Sequence, residues 1–117
     1  IKGKDFFVLH EKFEELYNGS LENIDEVAER ILTLGVTPLH SYKVYTKISK
    51  IEEVENVFDS VAAVNTVLDG LRQLLIIERE ILAVASEIND EGTVSLMSDY
   101  ITAQEKLVWM FSAVVAQ

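Results

Sequence analysis

The stretch "FFVLHEKFEELYNGSLENIDEVAERIL", Phe6–Leu32, decides the fold. Its apolar residues recur at helical spacing: Phe6, Leu9, Phe13, Leu16, Ile24, Val27 and Ile31, followed by Leu34 just beyond. This spacing predicts one long helix from about Asp5, a suitable N-cap, to Leu34, with Gly35 and Pro38 ending it. Four candidate metal ligands ride on the helix: His10, Glu14, Asp25 and Glu29. At 100° per residue, with His10 at the origin, Glu14 falls near ~40°, Asp25 near ~60° and Glu29 near ~100°. All four share one quadrant. Along the axis, however, His10 and Asp25 are roughly 22 Å apart at 1.5 Å per residue. Metal–ligand bonds are about 2 Å long, so one copy of this helix cannot bring all four to one ion.

An antiparallel second copy removes the difficulty. Across a two-fold axis a residue i faces a residue j with i + j constant. His10 then faces Glu29, Glu14 faces Asp25, Phe7 faces Leu32 and Asn18 faces Leu21. The series 7, 10, 14, 18, 21, 25, 29, 32 has the palindromic spacing 3, 4, 4, 3, 4, 4, 3, as an isologous interface between identical helices permits. The stripe therefore reads as a dimer interface with a metal site at each end. Each site takes His10 and Glu14 from one chain and Asp25 and Glu29 from the other. The bland reading stands beside it: acids at i, i+4 are common on solvated helix faces. Most of these carboxylates lack a basic residue four positions away, which favours the metal reading. Imidazole and carboxylate without thiolate suit iron, manganese or zinc by ligand type.

The rest of the chain is helical in pattern. A second helix is predicted from about Val54 to Ile88, running through Gly70. "NDEG" then makes a turn, and a third helix runs from about Thr93 to Val115, with Asp90 and Glu91 near its positive end. The segment around Ser41–Ile48 is expected to form a short helix. No strand alternation persists. The class is all-α, a single domain over residues 1–117, read as a four-helix bundle. Three long helices fall one short, and "IKGKD" reads as the tail of a first helix lying outside the chain.

Composition narrows the function. The 117 residues are 49% hydrophobic with net charge −10, and the mean hydropathy is +0.17. That apolar content reflects either a dense helical core or surface covered by other subunits. The negative charge repels phosphate, which argues against nucleic acid and favours cations. No cysteine is present, which excludes thiolate metal sites and disulfides. The stretches "LLIIEREILAVA" and "LVWMFSAVVA" are too short or too charged to span a bilayer.

"GKDFFVLHEKFEELYN", "IDEVAERILTLGVTPL" and "NDEGTVSLMSDYITAQEKLVWMFSAVVA" together resemble the Dps family of mini-ferritins over most of the chain. The specific part is a His, an acid four residues on, then Asp-x-x-Ala-Glu-Arg. The resemblance implies a ferritin-like bundle assembled as a hollow dodecamer in the cytoplasm. It also implies a ferroxidase centre shared across a two-fold interface, with ligands on His10, Glu14, Asp25 and Glu29. Members of the family oxidise Fe(II), usually with hydrogen peroxide, and store the ferric mineral. Glu14 stands where the family often has Asp. Ser95 stands where many members have an acid near the pore that admits iron, which leaves Asp90 and Glu91 to carry that entry field. The family's further His, followed by Trp, belongs upstream of Ile1. The Lys-rich tails on which its DNA binding rests are not in these residues, and the absence of Glu-x-x-His argues against classical ferritins.

Two rival readings are a non-catalytic or DNA-protecting assembly that has lost the centre, and a ferritin-like enzyme using manganese. His40 is expected to be a surface or packing residue, and Trp109 a core or subunit-interface residue. Glu78 and Glu80 are expected to face solvent.

Overall fold

The computed structural model describes residues 6–38 and 59–116. Within them lie three α-helices and no strand: α1, Phe6–Thr33; α2, Ser60–Glu87; and α3, Glu91–Val115. The chain divides into two compact units, residues 1–50 and 51–117, so α1 and the α2–α3 pair are described separately. The expected helix around Ser41–Ile48, the Asp5 cap, His40 and the expected start of the second helix at Val54 all lie outside the described residues.

α1 runs without a break through Gly19 and ends where Gly35 permits. Gly35 adopts φ +88°, a left-handed conformation that costs glycine nothing. Its N–H donates to the Leu32 carbonyl at 2.9 Å, and the Val36 N–H reaches back to Ile31 at 3.1 Å. This pair of bonds is a Schellman cap, and it satisfies carbonyls the helix would otherwise leave open. Along α1 only Leu9 is buried; Phe13, Leu16, Val27 and Ile31 are half-buried, and Phe6, Ile24 and Leu34 are exposed.

The second unit is a helical hairpin. Asp59 caps α2, its side chain accepting from the Val61 N–H at 3.3 Å. The buried residues of α2 are Ala63, Val64, Leu68, Leu71, Leu75, Glu78 and Ala85, close to a repeat of four and three. Those of α3 are Thr93, Met97, Tyr100, Gln104 and Phe111, on the same repeat. Two such seams meet side to side along antiparallel helices. Val64 at 0% and Leu68 at 1% exposure mark the densest part. Cross-links fix the register: Gln104 bonds Glu78, and Arg79 pairs with Glu105 at 3.0 Å.

The turn between α2 and α3 is tighter than "NDEG" suggests. Asn89 takes φ 60°, a left-handed position that Asn tolerates better than most residues. It donates to the Ser86 carbonyl at 3.2 Å, while Asp90 N–H donates to Ala85 at 2.8 Å. Asp90 then caps α3, accepting from the Thr93 N–H at 3.2 Å and the Thr93 hydroxyl at 2.6 Å. One residue thus closes α2 and opens α3. That is why α3 starts at Glu91 rather than near Thr93.

By length and composition alone α2 is long and apolar enough to cross a membrane. The two shorter stretches weighed in the sequence understate it. Its buried seam and its Glu78–Gln104 and Arg79–Glu105 links to α3 are those of a hairpin core helix.

Candidate metal centre

All four expected ligands lie on α1, and all four are exposed. His10 and Glu14 stand one turn apart, with His10 Nε2 at 3.8 Å from a Glu14 carboxylate oxygen and both side chains 65% exposed. The helix sets this spacing, since residues four apart are neighbours on its surface. Phe6, a turn earlier, stacks on the imidazole with ring centroids 5.4 Å apart and planes 13° from parallel. That contact limits rotation of the ring while leaving Nε2 beside Glu14. Phe7 packs edge-on against Phe6 at 5.5 Å.

Asp25 and Glu29 form the second pair, again one turn apart. Among the described residues neither carboxylate is held in an ion pair. Beside the first pair, Lys12 is engaged by Glu15 at 3.4 Å. Among the described residues no three histidines or acids of one chain come together in a way that could hold a metal ion. The structure thus keeps the four residues as two separate pairs, as the length of the helix requires.

The whole palindromic stripe is open. Phe7, His10, Glu14, Asn18, Leu21, Asp25, Glu29 and Leu32 are all exposed. Phe7 is 82% exposed and Leu32 59%, although both are large and apolar. Apolar side chains alternating with ligand-type residues on an open face are what a subunit interface with metal sites needs.

The other expected residues fall as follows. Asp90 spends its carboxylate on the α3 cap, and Glu91 stands exposed in the first turn. Trp109 is 69% exposed, so it is not part of this chain's core. Glu80 faces solvent as expected, but Glu78 does not. Glu78 lies in the seam at 7% exposure, accepting a 2.8 Å hydrogen bond from Gln104 Nε2. Burial pushes its carboxyl up from its ordinary value, against the opposing pull of the Gln104 hydrogen bond and the Arg79 charge. Sequence reasoning took the acid for a surface residue. The signal that contradicts it is position: 64, 68, 71, 75, 78 places Glu78 in step with the buried leucines.

Comparison with known proteins supplies the remaining context. The family model described as a ferritin-like domain matches residues 1–117. A protein of Haemophilus influenzae is 57% identical over 113 residues, covering 97% of this chain and 71% of the relative. A DNA protection during starvation protein of Porphyromonas gingivalis is 43% identical, covering 93% of this chain and 69% of its own length. Among solved structures, Dps from Vibrio cholerae O1 superposes with a TM-score of 0.96 at 50% identity, over 98% of this chain and 72% of that one. That protein is described as a member of a broad superfamily of ferritin-like diiron-carboxylate proteins.

Proposed function

The chain belongs to the Dps proteins of the ferritin-like family, and on that premise we propose that it is a ferroxidase that detoxifies and stores iron in a cage. Fe(II) is the substrate and hydrogen peroxide the oxidant. The site forms at a two-fold interface from His10 and Glu14 of one chain and Asp25 and Glu29 of its twin. The cage is a dodecamer, and the compartment is the cytoplasm. The observation that carries this reading is the open palindromic stripe, in which every position expected at the interface is exposed.

The donor set fits the substrate. Three carboxylates and one imidazole suit iron in both oxidation states. The carboxylates favour Fe(III) over Fe(II), because their attraction grows with the cation's charge. Two Fe(II) give one electron each to hydrogen peroxide. The O–O bond breaks, two protons are taken up, and two waters leave. Pairing the electrons in one site avoids the hydroxyl radical that a single Fe(II) would release. Phe6 keeps the imidazole plane in place, and Glu14, one methylene longer than Asp, reaches the same ion from one turn away.

In the test, His10→Ala and Asp25→Ala variants are mixed with Fe(II) and peroxide while absorbance follows ferric product. Loss of a ligand from so small a donor set is expected to cost about tenfold or more in rate, with the dimer intact by sedimentation. Wild-type rates in both variants would rule the site out.

A further inference from the structure

A second polar cluster lies away from the stripe, in the α2–α3 seam. Glu78 is 7% exposed and Gln104 6%, and they meet in a seam whose other buried positions are apolar except for Thr93 and the Tyr100 hydroxyl. One hydrogen bond joins them, from Gln104 Nε2 to a Glu78 oxygen at 2.8 Å. The other oxygen of each group, Glu78 Oε1 and Gln104 Oε1, is buried without a hydrogen-bond partner among the described residues. Two acceptors stranded in an apolar seam carry a heavy desolvation cost.

Among the described residues, the pair's neighbours one turn away along α2 and α3 are mostly apolar. One turn away on α2 stand Leu74, Leu75, Ile81 and Leu82. On α3, Ile101, Leu107 and Val108 flank Gln104. Arg79 is the neighbouring cation, but its guanidinium reaches out to Glu105 at 3.0 Å. Tyr100, one turn before Gln104 and buried, is the other titratable group on that side of α3.

A single proton satisfies both stranded oxygens. A neutral carboxylic acid and a primary amide form a cyclic pair with two hydrogen bonds: amide N–H to the acid carbonyl, and acid O–H to the amide oxygen. The first of these is present. The second needs a hydrogen on Glu78 Oε1 directed at Gln104 Oε1. We propose that Glu78 and Gln104 share a proton as a neutral acid–amide pair, and that this pair is a pH-sensitive latch between α2 and α3.

Glu78 holds its proton when the hairpin is closed. As pH rises, the proton passes to water and leaves a carboxylate in the seam with one hydrogen bond, opposed on α3 by the bare amide oxygen. The burial that raises Glu78 above its ordinary value of 4.5 acts in the same direction. The sign follows from linkage. An acid raised in the folded state contributes stability that is complete below its unfolded value and is lost as pH climbs through the folded one. The latch is therefore tightest on the acid side and loosens toward alkaline pH.

Infrared spectroscopy of the full chain, with glutamate carboxyls isotopically labelled, tests this. At about pH 7 every ordinary carboxyl is ionised, so a remaining carboxylic-acid C=O band stands alone. That band is expected in the wild type and absent from Glu78→Gln. In Gln104→Leu it should move to higher frequency as the acid loses its partner. A wild type without the band has an ionised Glu78, whether bridged by water or by a cation, and overturns the proposal. A band that survives Glu78→Gln overturns it too. Denaturant midpoints against pH give a second reading. The unfolding equilibrium constant of wild type should rise relative to that of Glu78→Gln by up to about tenfold per pH unit above the ordinary carboxyl value. A gap that does not change with pH refutes the latch. Glu78→Met, which fills the seam without an acid, repeats the comparison if the amide variant fails to fold.

Discussion

Asp90 carries two duties that substitution can separate. Its carboxylate accepts from the Thr93 backbone and hydroxyl, and it lies in the segment expected to attract iron. Alanine removes both the cap and the charge; asparagine keeps the cap and loses the charge. Asp90→Ala is expected to cost about 1 kcal/mol of stability, and Asp90→Asn much less, by thermal denaturation. If the charge serves entry, both slow iron uptake at low ionic strength, and the difference fades in salt. Equal uptake by Asp90→Asn and wild type would confine Asp90 to capping. On α1 the corresponding division is between His10, the proposed iron ligand, and Phe6, which stacks on its imidazole.

At the scale of elements, the tight α2–α3 junction depends on the left-handed Asn89. Asn89→Gly should leave stability unchanged or raised by a few tenths of a kcal/mol, because glycine adopts this conformation freely. Asn89→Val should cost about 1–2 kcal/mol, since its branched Cβ clashes there; a chemical-denaturation series distinguishes the two. The helices themselves were legible in sequence. The apolar period located all three, and Gly35, Asn89 and Asp90 marked the ends to within a few residues. Gly70 did not break α2, because the seam on both sides of it packs. The placement of His10, Glu14, Asp25 and Glu29 on one open face of α1 was legible as well, because helix geometry alone puts residues four apart on one face. What sequence hid was the burial of Glu78. Charge type points outward, and only the position within the seam, together with a matching polar residue on the facing helix, reveals the opposite. The Phe6–His10 stack was hidden for a similar reason, since Phe6 fits an apolar repeat equally well as packing.

At the scale of the molecule, the family's two activities make different demands on charge. Relatives are named for DNA protection, yet these 117 residues carry a net charge of −10. Binding through phosphates needs cations that release counterions, so the chain by itself should give no mobility shift, even at low salt where such binding is strongest. Iron chemistry makes the opposite demand, and its decisive test is symmetry. In the proposed isologous dimer each site would take His10 from one chain and Asp25 from the other. A dimer of His10→Ala chains has no complete site, and neither has a dimer of Asp25→Ala chains. In a mixed dimer, one end collects both lesions and the other collects none. Co-refolding equal amounts of the two inactive variants gives mixed dimers in about half of the pairs, each with one intact site, so about a quarter of wild-type ferroxidase activity should return. A site built within a single chain would gain nothing from mixing, because every chain carries a lesion. Recovery that tracks the fraction of mixed dimers, measured by mass spectrometry of differently tagged chains, therefore discriminates between a shared centre and a self-contained one. It does so without a structure of the assembly, and a failure of recovery despite confirmed mixed dimers would refute the pairing of His10 and Glu14 with the partner's Asp25 and the partner's Glu29.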